Sequence, residues 1–251
     1  MRLAQEPCPG WRTLKNLLVT ALQPVGSTMY IYGGGWNEMD TGAGREACSL
    51  GCDPRWRRFF EEQNPAYDER EHRYCLGCGL DCSGYLGWTL YNTLEAEKGK
   101  TGYVMSAAEM ASSFACRGWG VYRGAEKVTE HLPGDIMSSP GHVWLSLGTC
   151  SDGSVLLLHA SPPGVMISGT VTPGNRKNSE AITVASALMK NYAPEWYGKF
   201  PQCSRGISYL REYAQMSWFL DGSGILTDPD GYGKINIKEV LRDLFHGKGG
   251  V

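Results

Sequence analysis

The chain has no long apolar run, no block of like charge, no internal repeat and no low-complexity tract, and each absence removes a class of protein. Residues 1 to 25 hold Pro9, Pro24 and several charges without an uninterrupted apolar core, so neither a secretory leader nor a membrane span is read there. Twenty-four basic and 26 acidic side chains leave a formal charge of -2, and the basic clusters are short. That balance provides no electrostatic footprint for nucleic acid. Nine cysteines in 251 residues fall below the density of a disulfide scaffold. The length suits one well-buried domain carrying elaborations.

What is present is organised by texture. Leu14, Leu17, Leu18 and Leu22 fall at helical spacing and predict an amphipathic helix within Trp11 to Leu22. Ser27 to Gly35 is a β-prone run closed by glycines. Residues 36 to 80 show no sustained period and crowd charged and aromatic side chains with four cysteines. So long a segment needs internal structure, so a helix is expected near 54 to 63, with something pinning its ends. After Cys82 the pattern Tyr85, Leu86, Leu90, Leu94 predicts a helix reaching Gly99, and Ser106 with Glu109 forms a capping-box pattern for another that runs to about Cys116. Strands follow at Gly134 to Ser138, Val143 to Leu147, Val155 to His159 and Val165 to Ser168. Helical texture returns at Ile182 to Tyr192, Ile207 to Leu220 and Asn236 to Phe245. Helices followed by consecutive antiparallel strands imply an α+β domain.

The chemistry sits in three short stretches: Asp81-Cys82-Ser83-Gly84, Gly141-His142-Val143 and Leu158-His159-Ala160-Ser161. A cysteine attacks an acyl carbon as its thiolate, and at a helix start both the unsatisfied backbone N–H groups and a nearby imidazole favour that anion. His142 and His159 lie near adjacent strands joined by the Thr149 to Ser154 turn, which can bring both to one face. A second imidazole would fix the first one's tautomer, as a carboxylate does in a serine triad.

Together with Tyr30-Ile31-Tyr32-Gly33-Gly34 and Pro133-Gly134-Asp135-Ile136, these motifs resemble, in order, the NlpC-type cysteine peptidases of bacterial cell-wall metabolism. The resemblance spans about residues 26 to 170. It implies a papain-like α+β fold, with the cysteine at a helix start packed on a central antiparallel sheet. It also implies hydrolysis of peptide or isopeptide bonds in peptidoglycan stem peptides, commonly between D-glutamate and a diamino acid, with no cofactor. Cys82 matches the nucleophile, His142 the base and His159 the third polar residue, while Tyr30, Asp81 and Ser83 match positions that bind a substrate's free amine. The chain is then a single catalytic domain over 1 to 251, with an insertion at about 36 to 80 and a helical C-terminal extension at about 181 to 251. The insertion is longer than the family's connection and could roof the cleft. Rival readings are an N-acetylmuramoyl-L-alanine amidase, an acyl transferase using the same thiol, and a non-catalytic binder. With no leader visible, the expected place of action is the cytosol, on imported or recycled fragments, or the cell wall if a leader has been removed.

Two metal sites are also weighed. Cys48, Cys52, Cys75 and Cys78 could form a four-thiolate zinc staple for the insertion, against disulfides or separate thiols. Asp228, Asp230, Asn236 and Glu239 fall at positions 1, 3, 9 and 12 of a calcium loop, although Tyr232 stands at position 5. A turn leading into a capped helix explains the same residues. His72, His131 and His246 are read as surface residues.

Overall fold

The computed structural model describes residues 1 to 246. In chain order the elements are β1 (Arg2–Leu3), α1 (Leu14–Leu22), β2 (Met29–Tyr30), α2 (Pro54–Glu62), β3 (Gly79–Leu80), α3 (Cys82–Leu94), α4 (Met110–Cys116) and β4 (Gly120–Arg123). There follow β5 (Ile136–Ser139), β6 (His142–Thr149), β7 (Val155–Ser161), β8 (Gly164–Thr170), α5 (Glu180–Tyr192) and α6 (Pro194–Lys199). The chain closes with β9 (Ser204–Arg205), α7 (Ser208–Arg211), β10 (Ala214–Trp218), α8 (Ile237–Leu244) and β11 (Phe245–His246). The fold is α+β. A mixed sheet runs in the order β3-β2-β8-β7-β6-β5-β10-β4, with β9 joined in parallel to β8 and β2 parallel to β3.

Strand periodicity divides two apolar layers. Val143, Leu145 and Leu147 on β6 and Leu156, Leu158 and Ala160 on β7 point into the main core, where α1 and α3 lie. Trp144, Val155 and Leu157, on the alternate positions, form a second cluster with Met137 and Tyr213 on the other face. Helix α3 is buried at every position, and its polar Thr89, Asn92 and Thr93 side chains are accommodated by bonding back to carbonyls one turn earlier. It ends at Leu94, well before Gly99, and is capped by the Glu95 N–H to Tyr91 carbonyl bond. The Ser106 and Glu109 capping box does not form: Glu109 occupies the N-cap of α4 without a side-chain bond.

The C-terminal extension departs from its helical expectation. Only α7 forms within Ile207 to Leu220. Ala214–Trp218 becomes β10, inserted between β5 and β4, where burial on both faces replaces the half-buried alternation that would mark a strand. The extension is thus part of the sheet.

The insertion is pinned without metal. The buried carboxylate of Glu46 accepts the Gly35 N–H at 2.8 Å and faces the Trp56 indole N–H at 3.5 Å. Phe60 stacks on Trp196 with ring centres 5.2 Å apart, and Lys199 donates to the Phe60, Glu61 and Gln63 carbonyls that end α2. Asn92 of α3 accepts the Gly51 N–H at 2.7 Å and donates to the Ser49 carbonyl at 3.0 Å.

His131, expected at the surface, is buried and stacks on Trp144, with its Nε2 lacking a hydrogen-bond partner. Burial pushes its pKa down to about 4. The sign follows: below about pH 6.5 the unfolded chain binds a proton that the folded one refuses, so this group's contribution to stability is lost as pH falls from about 6.5 towards 4. The melting temperature of His131→Phe should therefore drop less than that of the wild type between pH 7 and pH 5, measured by circular dichroism. Equal drops would place the acid sensitivity elsewhere.

Candidate active site

The first turn of α3 is held by its own cap. Asp81 Oδ1 accepts the Gly84 N–H at 2.7 Å and the Ser83 hydroxyl at 2.8 Å, and Ser83 Oγ accepts the Trp36 indole N–H at 2.9 Å. Gly84 allows the approach of the Gly34 to Gly35 turn, since a Cβ there would collide with the Gly34 carbonyl. Cys82 stands at the first helical position and is buried. Helix α3 packs against β6, and Cys82 and Val143 share the main core.

His142 opens β6. Its Nε2 lies 3.0 Å from His159 Nδ1 on β7, with ring planes at 73°, which leaves Nδ1 of His142 as the remaining nitrogen. His159 is fully buried, and its Nε2 lies 3.1 Å from Ser168 Oγ on β8. The extension completes the surround. Tyr209 packs 5.8 Å from the His142 ring and 5.9 Å from the His159 ring, Tyr213 lies 6.3 Å from His142, and Arg205 Nε donates to His159 Nε2 at 3.2 Å. Helix α3, which Cys82 opens, packs against both β6 and β7, the strands that carry the imidazoles.

Electrostatics set the resting state. Burial, reinforced by the Asp81 carboxylate, pushes the Cys82 thiol up to about 12 and outweighs the backbone N–H groups on its sulfur. The expected thiolate at a helix start is therefore a neutral thiol here. Burial, followed by the Arg205 charge, pushes His142 down to about 4 and His159 well below the usual imidazole range. Burial raises Asp81 to about 6 against its hydrogen bonds. The thiolate and the imidazolium that would appear on catalysis are thus absent at rest.

Of the residues expected to bind an amine, Tyr30 lies half-buried beside Cys82 and Asp81. Asp81 and Ser83 are largely buried, and their polar groups are committed to the helix cap and to Trp36. Tyr30 also lines a cavity of about 260 Å³ with Tyr32, Pro162 and the insertion's Glu69, Arg70 and Arg73. Arg70 is paired with Asp68, whereas Arg73 lies 4.2 Å over the Tyr32 ring. The insertion therefore forms one wall of the cavity that Tyr30 lines.

Neither metal reading gains support among the described residues. Cys75 and Cys78 are joined in a disulfide while Cys48 and Cys52 are free, so no four-thiolate set exists. Asp228 accepts the Tyr232 and Gly233 N–H groups in a turn, Asp230 pairs with Lys15, and Asn236 and Glu239 form the capping box of α8. These donors face backbone and not a common centre. Among the described residues no group of three or more His, Cys, Asp or Glu side chains gathers as metal ligands, and no helix is long and apolar enough to cross a membrane.

Arg205, Tyr209, Tyr213, Ser168 and Trp36 were not singled out from sequence. No protein-family model, curated protein or solved structure matches this chain.

The position of Asp81 yields a test. Asp81→Asn keeps a capping side chain but removes the negative charge that raises the thiol, so Cys82 should react faster with iodoacetamide at pH 8 in this variant. In the wild type the rate should keep climbing towards alkaline pH. Peptide mapping by mass spectrometry reads both, and an unchanged rate in the variant would contradict the electrostatic account.

Proposed function

We propose that this protein is a papain-like cysteine hydrolase that cleaves peptide or isopeptide bonds in peptidoglycan stem peptides. The observation that carries the reading is the 3.0 Å bond between His142 Nε2 and His159 Nδ1, formed on a strand that packs against the helix opened by Cys82. In this reading sulfur, base and orienting group come from three separate elements, α3, β6 and β7. The order of the five motifs supplies the substrate class.

In the proposed reaction His142 Nδ1 takes the Cys82 proton and the sulfur attacks the acyl carbon. The backbone N–H of Cys82 is placed to serve the developing oxyanion. His142 then returns the proton to the leaving amine, giving a thioester. Water, deprotonated by the same nitrogen, releases the acid. For this step His159 must accept from His142 Nε2, the tautomer that leaves His142 Nδ1 bare, and its complete burial prevents water from replacing it. The charged wall of Glu69, Arg70 and Arg73 beside Tyr30 suits short peptides bearing ionised groups better than long apolar chains.

Incubation with a stem tripeptide containing a γ-D-glutamyl-diamino acid bond, followed by mass spectrometry, should give the dipeptide and the free diamino acid. Cys82→Ala and His142→Ala should each lower the rate by at least about 10³-fold, as loss of a nucleophile or its base does in acyl transfer. Cleavage that persists in Cys82→Ala would end the proposal.

A further inference from the structure

One ring nitrogen has two suitors. His159 Nε2 lies 3.1 Å from Ser168 Oγ and 3.2 Å from Arg205 Nε. A guanidinium N–H only donates. While Arg205 is in place, His159 Nε2 must accept, so the proton of the neutral ring sits on Nδ1 and is donated to His142 Nε2 across 3.0 Å. His142 then carries its own proton on Nδ1, the atom required to receive that of Cys82. In this tautomer His142 is no base.

The alternative tautomer is already provided for. With both rings protonated on Nε2, His142 donates to His159 Nδ1, His159 donates to Ser168 Oγ, and His142 Nδ1 is bare. Ser168 serves because a hydroxyl accepts as readily as it donates. Arg205 does not fit this state, since two N–H donors would face each other.

Arg205 is equipped to leave. It stands at the end of the two-residue strand β9, is half-buried, and its other bonds go to the Ser204 carbonyl at 2.9 Å and the Met166 sulfur at 3.2 Å. Among the described residues it takes part in no ion pair. A partly buried guanidinium without a counter-anion is a strong partner for a carboxylate, which it binds through two parallel N–H groups. The other titratable groups packed on the rings are Tyr209 of α7 and Tyr213 ahead of β10, and neither is a carboxylate. Burial and the Arg205 charge both oppose a second proton on either ring, so an imidazolium does not relieve the conflict.

We propose that Arg205 is a positioning residue that locks the histidine pair in the non-basic tautomer until a substrate carboxylate takes its guanidinium. On release, the shared proton moves from His159 Nδ1 to His142 Nε2, one proton leaves His142 Nδ1 for water, and one from water reaches His159 Nε2. The proton count is unchanged. The consequence for substrate choice rests on the hydrolase reading, whereas the tautomer lock does not.

Nitrogen-15 NMR of the wild type reads the lock directly. His159 should show a protonated Nδ1 and a bare Nε2, and a protonated Nε2 with Arg205 present overturns the proposal. In Arg205→Met the proton should shift to Nε2, and alkylation of Cys82 by iodoacetamide at pH 7 should rise by roughly 10²-fold, the ordinary contribution of a positioned base. A variant with unchanged tautomer and rate also overturns it. For substrate choice, wild-type kcat/KM should favour a γ-D-glutamyl peptide over its isoglutaminyl counterpart, which lacks only the free carboxylate, and the preference should vanish in Arg205→Met. Equal wild-type rates on the two peptides overturn the carboxylate trigger. Turnover of neither peptide, alongside the expected NMR shifts, overturns the hydrolase reading while upholding the lock.

Discussion

The contact between the first turn of α3 and the start of β6 is the constraint on which the candidate site depends. A helix N-terminus leaves several N–H groups without partners, and here Asp81 takes that of Gly84. Val143 on β6 and Cys82 on α3 lie in the same main core, which seats the strand against the helix and sets where His142 begins. Strand pairing then does the rest. Leu145 opposite Leu158 on β7 and His159 opposite Met166 on β8 place the second imidazole on the same sheet face as the first.

The insertion and the C-terminal extension stand in different relations to this site. The insertion takes its order from a buried carboxylate, an aromatic stack and a lysine capping α2. The extension has a more intimate role. By threading β10 between β5 and β4 and laying β9 along β8, it covers the outer sheet face that carries the histidines and brings Arg205, Tyr209 and Tyr213 against them. Without that cover, His142 and Trp144 would face solvent, and the low polarity that keeps the imidazoles neutral would be lost.

Much of this was legible in the chain and some was not, for physical reasons. The α+β class, the helix after Cys82, the four central strands and the pairing of His142 with His159 follow from periodicity and from two histidines on adjacent strands. Arg205 and the two tyrosines carry no local mark, since only the parallel pairing of β8 with β9 brings them to the rings. The segment Ala214–Trp218 hides its strand character because neighbours on both sides bury it. Ligand-like spacings misled where the same chemistry has a second use: paired cysteines also form disulfides, and Asp, Asn and Glu also bind backbone N–H groups in turns and capping boxes. His131 follows a charged stretch yet belongs to the second core.

The resting electrostatics bear on how such a site could work. Burial opposes a thiolate on Cys82 and a cation on His142 taken separately, and it does so strongly. It does not oppose their joint formation to the same degree, because two opposite charges created at contact distance in a dry cavity attract each other more strongly than they would in water. A site built this way stays uncharged when empty, which protects a nucleophilic sulfur from oxidation and chance alkylation. The ion pair becomes accessible only when something also repositions Arg205, whose fixed charge weighs against any proton on the neighbouring ring. The same guanidinium that depresses the base would then be the group most drawn to an incoming anion, so that recognition and activation fall to one side chain.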